Sequence, residues 1–446
     1  MSDTHATNPL PSAGKIKQPV RPKRKLWKKA LILLGLLLSL ALGYNAFQNW
    51  QAGIQLEARL ETLRKNGEPL TLEELDSKVL PKEENALTWI RLAKPHTKEL
   101  NKLLLDYMQS DEYSTFRPNA EQLKLLEDTI ANHQEAFSLY ARAAKCPGYQ
   151  SDWRIIGPQP SESLGEHLEN LQETRSIMRH CWSRASLLMA QDKYDEALKQ
   201  GLQMLAISRH AESEPMVIGY LVSIACRQMS LKVITAVMER SLLDEKQRDQ
   251  IDQALAACES SRGLKHALTS ERIFGLASYR SHLIRIGFIS IVSWKIKLEA
   301  CEYLDLMESM NRLTIKSRYQ IVDELNNLKN RKYAPMTTLA FSAIAQVRTA
   351  HDRALARGRA VRLLNALQRK YPEGIPEEIQ PKDYPGNLKF WQDPFNGKSL
   401  IVHPSPDSIA VYSVGENGTD DGGSLDVYQD QGIQIKLQKR ISQRSP

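Results

Sequence analysis

The sequence predicts a mainly α protein, a helical hairpin array or bundle that ends in a small α+β module. Three observations predict it. Apolar residues recur at helical spacing through most of the stretch from Gln51 to Tyr371. Capping signals and prolines punctuate that stretch at helix-length intervals. After Pro372 the chain turns rich in proline and glycine, with short β-prone pieces at 399–403 (SLIVH) and 409–414 (IAVYSV).

Residues 1–25 are basic, proline-containing and without apolar periodicity, and are expected to be a disordered tail. From Ala30 to Phe47 run eighteen residues in which Asn45 is the only strongly polar one. As a helix they extend about 27 Å, close to the hydrocarbon thickness of a bilayer. Lys28 and Lys29 can snorkel at one end, and Trp27, Tyr44 and Trp50 sit where interfacial aromatics belong. The eight basic residues before residue 50 all precede this run, which places the N-terminus in the cytoplasm and the body outside it. A cleaved signal peptide, with Ala41 and Gly43 before the cut, is the competing reading, and the 29-residue leading tail favours an uncleaved anchor at 26–48. Setting the basic tail aside, the +8 net charge falls to about +1 for the body, so nothing in the bulk count calls for a nucleic-acid partner.

The juxtamembrane region (49–148) should continue as helix to about Lys65. Thr71 with Glu74 and Asn119 with Gln122 have capping-box spacing. A loop is expected at 149–163. The helical hairpin domain (149–335) should hold one helix over 164–190 and a second whose face runs through Tyr194, Ala197, Leu198, Gly201, Leu202, Leu205 and Ser208. Ser213 is expected to cap a third helix and Asp244 with Gln247 to open a fourth. The apolar stretch LIRIGFISIVSW (283–294) is too short and too flanked by charge for a second span, and is expected to be a buried core helix. A long helix over 336–371 leads into the C-terminal module (336–435), and 436–446 is a polar tail.

Motifs for catalysis are scarce. There is no HExxH, GxSxG, Walker loop or GxGxxG. The histidines, His167, His180 and His210 among them, read as polar-face or boundary residues. Glu271–Arg272 reads as an adjacent acid and base on opposite sides of a helix, more structural than catalytic. The five cysteines lie singly and read as small apolar residues.

Two resemblances add to this. Residues 181–208 resemble one tetratricopeptide unit, with Ala185 as its small residue and Tyr194 and Ala197 as its Y-x-x-A, although Gly201 stands where an aromatic is usual. The order QRKYP (368–372), DPFNGK (393–398), a strand and VYSVGENGTDDGG (411–423) resembles the C-terminal half of the major pseudopilin of type II secretion. There an acidic, glycine-rich loop binds calcium, so the resemblance implies calcium at Asn417, Asp420, Asp421 and Asp426. The alternative is an acidic surface loop whose Asn-Gly and Gly-Gly steps make turns. The methylation signal of a pilin is absent, and Asn417 stands where the pseudopilin has its first loop aspartate. With GEPLTLEEL (67–75), ENA (84–86), the hairpin and Glu271–Arg272, the whole chain resembles a family of membrane-anchored bacterial proteins of this arrangement, and no activity comes with that resemblance. The expected function is a non-enzymatic protein of the inner membrane and periplasm that binds a protein partner or organises an assembly. The rivals are an envelope enzyme acting on cell-wall or polysaccharide material through carboxylates gathered from several helices, and a component of a secretion or pilus-like apparatus.

Overall fold

The computed structural model describes residues 24–75, 79–151, 161–286, 292–425 and 429–436. Of the expected metal ligands, Asp426 lies outside them, as do residues 1–23 of the tail. Helix dominates. The anchor and the juxtamembrane helix are one element, α1 (Arg24–Lys65), 42 residues and about 63 Å long. No proline or positive-φ residue interrupts it, so it crosses the expected boundary at residue 48 without a break. Its first half is long and apolar enough to cross a membrane, and the leucines from Leu31 to Leu42 are 49–70% exposed.

Six shorter helices follow: α2 (Leu72–Leu75), α3 (Ala86–Leu103), α4 (Leu105–Met108), α5 (Asp111–Thr115), α6 (Ala120–Asn132) and α7 (Gln134–Lys145). The capping box at Asn119 forms, with Gln122 and Asn119 exchanging both bonds. At α2 the cap is looser: Thr71 accepts from the Glu74 N–H, while the Glu74 carboxylate reaches back to the Leu70 N–H. α6 and α7 are separated at His133, whose ring Nδ1 sits 2.8 Å from the Thr129 carbonyl oxygen.

The centre is a three-helix meander, α8 (Ser161–Ala190), α9 (Tyr194–Ala211) and α10 (Met216–Arg240). Ala185 and Ala197 are fully buried at the α8–α9 contact. Gly201 has a different use: a Cβ there would stand 3.0 Å from Ile234 and 3.1 Å from Val233, so its bare backbone lets α10 lie close against α9. α10 is apolar enough to cross a membrane, but 56% of its apolar window is buried inside the body, and it is a core helix. Ser213 does not cap it; Pro215 takes that place.

Around this centre pack α11 (Glu245–Ala256), opened by the Asp244–Gln247 capping box, α12 (Arg262–Ile286), α13 (Ser293–Leu313), α14 (Val322–Lys329) and the 36-residue α15 (Pro335–Lys370). The stretch 283–294 is not one buried core helix where it is described: 283–286 end α12 and 293–294 open α13, with Ile284 61% and Val292 45% exposed, and 287–291 lie outside the described residues. Three antiparallel strands, β1 (Ile401–Ser405), β2 (Ser408–Ser413) and β3 (Gln431–Lys436), form a sheet in the order β1-β2-β3. Val411 stands opposite Val402 and Ile433, and these strands cover the Ala360–Leu364 stretch of α15 in the main core. The C-terminal module is therefore docked on the helical body through its own leading helix.

A second core joins α10, α12, α13, α14 and the first half of α15. A third, Leu60 and Leu63 with Leu276 and Leu304, fastens the far end of α1 to α12 and α13.

Candidate functional site

The sequence pieces singled out above meet in space. The loop after α1 places Glu68 and Pro69 against Arg272, whose Nη2 donates to the Glu68 carboxylate and to the Pro69 carbonyl, both at 3.0 Å. Arg272 is 1% exposed and its Nε has no partner. The ENA segment is pinned by Asn85, whose side chain donates to the Gln150 carbonyl at 2.7 Å and accepts from the N–H groups of Leu87 and Gln150. The adjacent Tyr149 donates its hydroxyl proton to Glu214 in a short hydrogen bond. His167 Nδ1 lies 2.9 Å from the other oxygen of the same carboxylate.

Glu214 stands just before α10. Two residues on, Met216 has φ 70°, a left-handed conformation uncommon for a residue with a side chain. Its N–H donates to Ser270 Oγ at 2.7 Å, and the Val217 N–H donates to Glu271 Oε2 at 3.2 Å. Glu271–Arg272 therefore does point to two sides, with Glu271 half-buried against the start of α10 and Arg272 buried against the loop after α1. Burial raises the Glu271 carboxyl above the usual carboxylate range, against the lowering effect of the Val217 N–H and of His167. His167 and Glu214 are 0% and 1% exposed, so His167 is a core residue rather than a boundary one. Sequence reasoning missed Glu214 and Tyr149, because a lone acid and a lone tyrosine carry no spacing signal.

This constellation offers a proton donor, a proton acceptor and a second carboxyl, the parts of an acid–base site. It also joins five separate segments, 68–69, 149–150, 167, 214–217 and 270–272. His180 and His351 are buried in the same manner. His180 lies between Tyr140 and Asn101, and His351 bonds the Tyr220 hydroxyl at 2.6 Å. Burial pushes each down to about 3, with Arg179 adding to the effect at His180 and Arg348 at His351.

Two surface clefts of about 770 Å³ each flank the second core. One lies between the end of α1 and α12–α14 and is lined by Glu68, Lys265, Arg272, Asn311, Arg312 and Arg331 among others. The second lies between α10, α14 and α15. Its floor carries Leu221, Leu325, Phe341 and Ala345, and its rim Arg318, Lys329, Arg353 and Glu416. Glu416 belongs to the C-terminal module and forms ion pairs with Arg318 at 3.2 Å and Arg353 at 3.0 Å.

In the C-terminal module, buried Asp393 of the DPFNGK turn accepts from Ser413 Oγ, the Val414 N–H and the Phe395 N–H at 2.7–3.0 Å. One carboxylate thus ties that turn to the end of β2. Gly415 (φ 65°) opens the acidic loop, and a Cβ there would collide with the Gln429 carbonyl oxygen. Within the loop, Asn417 donates to Asp421 at 2.8 Å, and Asp420 accepts from the Tyr412 hydroxyl and the Gly422 N–H. Asp430, not anticipated from sequence, is fully buried beneath it. One of its oxygens accepts from the Asp421 and Gly423 N–H groups, and the other has no partner. Burial raises the Asp430 carboxyl, the two N–H groups oppose this, and the charges of Asp420 and Asp421 raise it further. Among the described residues no group of three or more His, Cys, Asp or Glu is arranged to hold a metal ion. No family model, no curated protein and no solved structure matches this chain.

Proposed function

We propose that this chain is a membrane-anchored scaffold that holds a protein partner against its helical body on the extracytoplasmic side. The carrying observation is α1. Its apolar half is bare, and its other half is fastened along α13 by the Leu60–Leu63–Leu304 core and by a two-bond Arg59–Asp305 ion pair. The body is thus a rigid continuation of the anchor rather than a domain on a tether. The basic residues before the span support a cytoplasmic N-terminus and a periplasmic body. The His167–Glu214–Glu271 constellation joins separate segments of the body, and we assign it to holding the body together.

The partner surface we assign is the α10–α14–α15 cleft, whose apolar floor and cationic rim suit an amphipathic, acidic segment. The test places a photo-crosslinking amino acid at Gln346 of the full chain in its native membrane. Protease is then added to intact spheroplasts. One discrete adduct, weakened by Phe341→Arg and digested from outside, is the expected result. No adduct overturns the scaffold reading, and a protected body reverses the topology.

We also propose calcium as a ligand of the C-terminal loop. The supporting observation is the unpartnered, buried Asp430 oxygen beneath Asp420 and Asp421, which a cation would satisfy. Few charged ligands imply weak affinity, about 10⁻⁴–10⁻³ M. Millimolar calcium should raise the thermal midpoint of the full chain, and Asp430→Asn should remove the rise. A wild-type midpoint indifferent to calcium leaves the loop a plain turn.

A further inference from the structure

One face of α1 runs through Asn45, Asn49, Ala52, Leu56, Leu60 and Leu63, a helical stripe at steps of three and four. Ala52, Leu60 and Leu63 are buried in the body, and Leu56, Asn49 and Asn45 are half-buried. On the other faces at the same height, Tyr44, Phe47, Trp50 and Ile54 are 51–64% exposed. The body therefore covers α1 as far down as Asn45, which lies inside the apolar run Ala30–Phe47.

The covering element is α13, and its direction fixes its depth. Lys297 Nζ donates to the Asn49 carbonyl at 3.3 Å, and Asp305 pairs with Arg59 at 2.9 Å. Both numbers rise together, so α13 runs parallel to α1 and its N-terminus points at the membrane. Ser293 begins α13 four residues before Lys297, about 6 Å nearer the bilayer at 1.5 Å per residue. Asn45 precedes Asn49 by the same four residues. The start of α13 is thus level with the last turn of the apolar run. α12 descends beside it in the opposite sense. Its Leu276 packs with Leu60 and Leu63, and its Ile284, eight residues on, lies about 12 Å lower. That is the height of Ile54.

The described ends of the two helices present apolar residues outward. Ile284 is 61% and Val292 45% exposed, and Trp294 is half-buried with Lys295 Nζ 5.5 Å from its ring. Arg280, Arg285 and Lys295 are exposed beside them. An apolar tip with an indole and flanking cations is the composition that sits in the interfacial layer of a bilayer, with the cations on headgroup phosphates.

We propose that the facing ends of α12 and α13 form a second membrane contact. Val292 and Trp294 enter the leaflet from which α1 emerges, and Ile284 rests nearer its headgroups. Two contacts, one spanning and one dipping, stop the body from swivelling about α1 and hold its clefts at a fixed angle to the membrane. The proposal rests on the membrane-anchor reading of α1.

The test uses the full chain in liposomes, carrying Cys146→Ser because Cys146 is the one cysteine that is not buried. An environment-sensitive fluorophore is attached in turn at Val292→Cys, at Leu40→Cys on the anchor and at Leu242→Cys on the far surface, where the native side chain is 75% exposed. The quencher is a lipid with a nitroxide just below its headgroup. The expected result is quenching at 292 comparable to that at 40, with none at 242. Quenching at 40 without quenching at 292 overturns the second contact and leaves the anchor standing. No quenching at 40 overturns the anchor and the proposal with it.

Discussion

On acidification from about pH 7.5 to about pH 5 three histidines should contribute up to about 6 kcal/mol of destabilisation, opposed in sign by the raised carboxyls of Glu271, Asp352 and Asp430, against the ~5–15 kcal/mol that holds a domain folded. Of the three histidines, His180 and His351 are buried and His210 is half-buried. Burial pushes His180 and His351 down to about 3 and His210 down to about 4, all from 6.5. Above pH 6.5 they are neutral both folded and unfolded, and contribute no slope. Below it the unfolded chain takes up a proton at each, while the folded chain does not until pH 3–4. The unfolded state then binds more protons, so stability falls as pH falls. At pH 5 each site has cost at most about 2 kcal/mol, at 1.36 kcal/mol per pH unit. Thermal midpoints of the detergent-solubilised chain across this range check the slope. His351→Gln should remove about a third of it. A slope left unchanged by His351→Gln would mean that this imidazole accepts a proton in the folded state.

Asp352→Ala should cost about 3–5 kcal/mol. Asp352 is fully buried in α15 and receives both its hydrogen bonds from Arg348 Nε, one turn earlier, at 3.0 and 3.1 Å. Arg348 also donates to the Leu313 and Lys316 carbonyls at 2.8 and 2.5 Å, which closes the end of α13 against α15. Burial raises the Asp352 carboxyl, and Arg348 and Arg318 oppose that. Removing the acid leaves a guanidinium in the interior with no counter-charge. Replacing both partners with apolar residues, Asp352→Leu with Arg348→Met, removes the charge as well as its partner, and should recover most of the loss. Chemical denaturation of the single and double variants separates the cases. Equal losses in both would place the stability in the carbonyl bonds of Arg348 rather than in the ion pair.

Much of the architecture was legible because it rests on local rules. A run of eighteen residues with one polar member, a basic cluster on one side and capping residues at fixed offsets act through adjacent atoms, and the helices begin at Asn119 and Asp244 as those offsets require. The change of character after Pro372 likewise marked the strands β1 and β2. Two local readings failed for tertiary reasons. Ser213 gave way to Pro215 because the Glu214–Met216 segment bends to meet Ser270 and Glu271 on another helix. The stretch 283–294 looked like core because apolar content predicts burial, yet Ile284 and Val292, at the ends of two different helices, are exposed.

The candidate sites were legible only in fragments. Sequence marked Asn417, Asp420 and Asp421, but not Asp430, which reaches their loop from the start of β3. It marked His167 and Glu271, but not Glu214, which bonds the first and stands beside the second.

By itself the sequence determined what each segment is: an apolar helix with a basic end, amphipathic helices with their caps, and a turn-rich module. It did so because hydrophobic periodicity and capping are short-range physics. Only the tertiary structure decided what those segments are to one another. It decided that α1 is one rod fastened to α13, that Glu68 meets Arg272 on one side of α12, and that His167 and Glu214 meet in the interior. Each of those facts depends on contacts between residues from about fifty to two hundred and fifty positions apart, brought together by burial of apolar surface that no local pattern encodes.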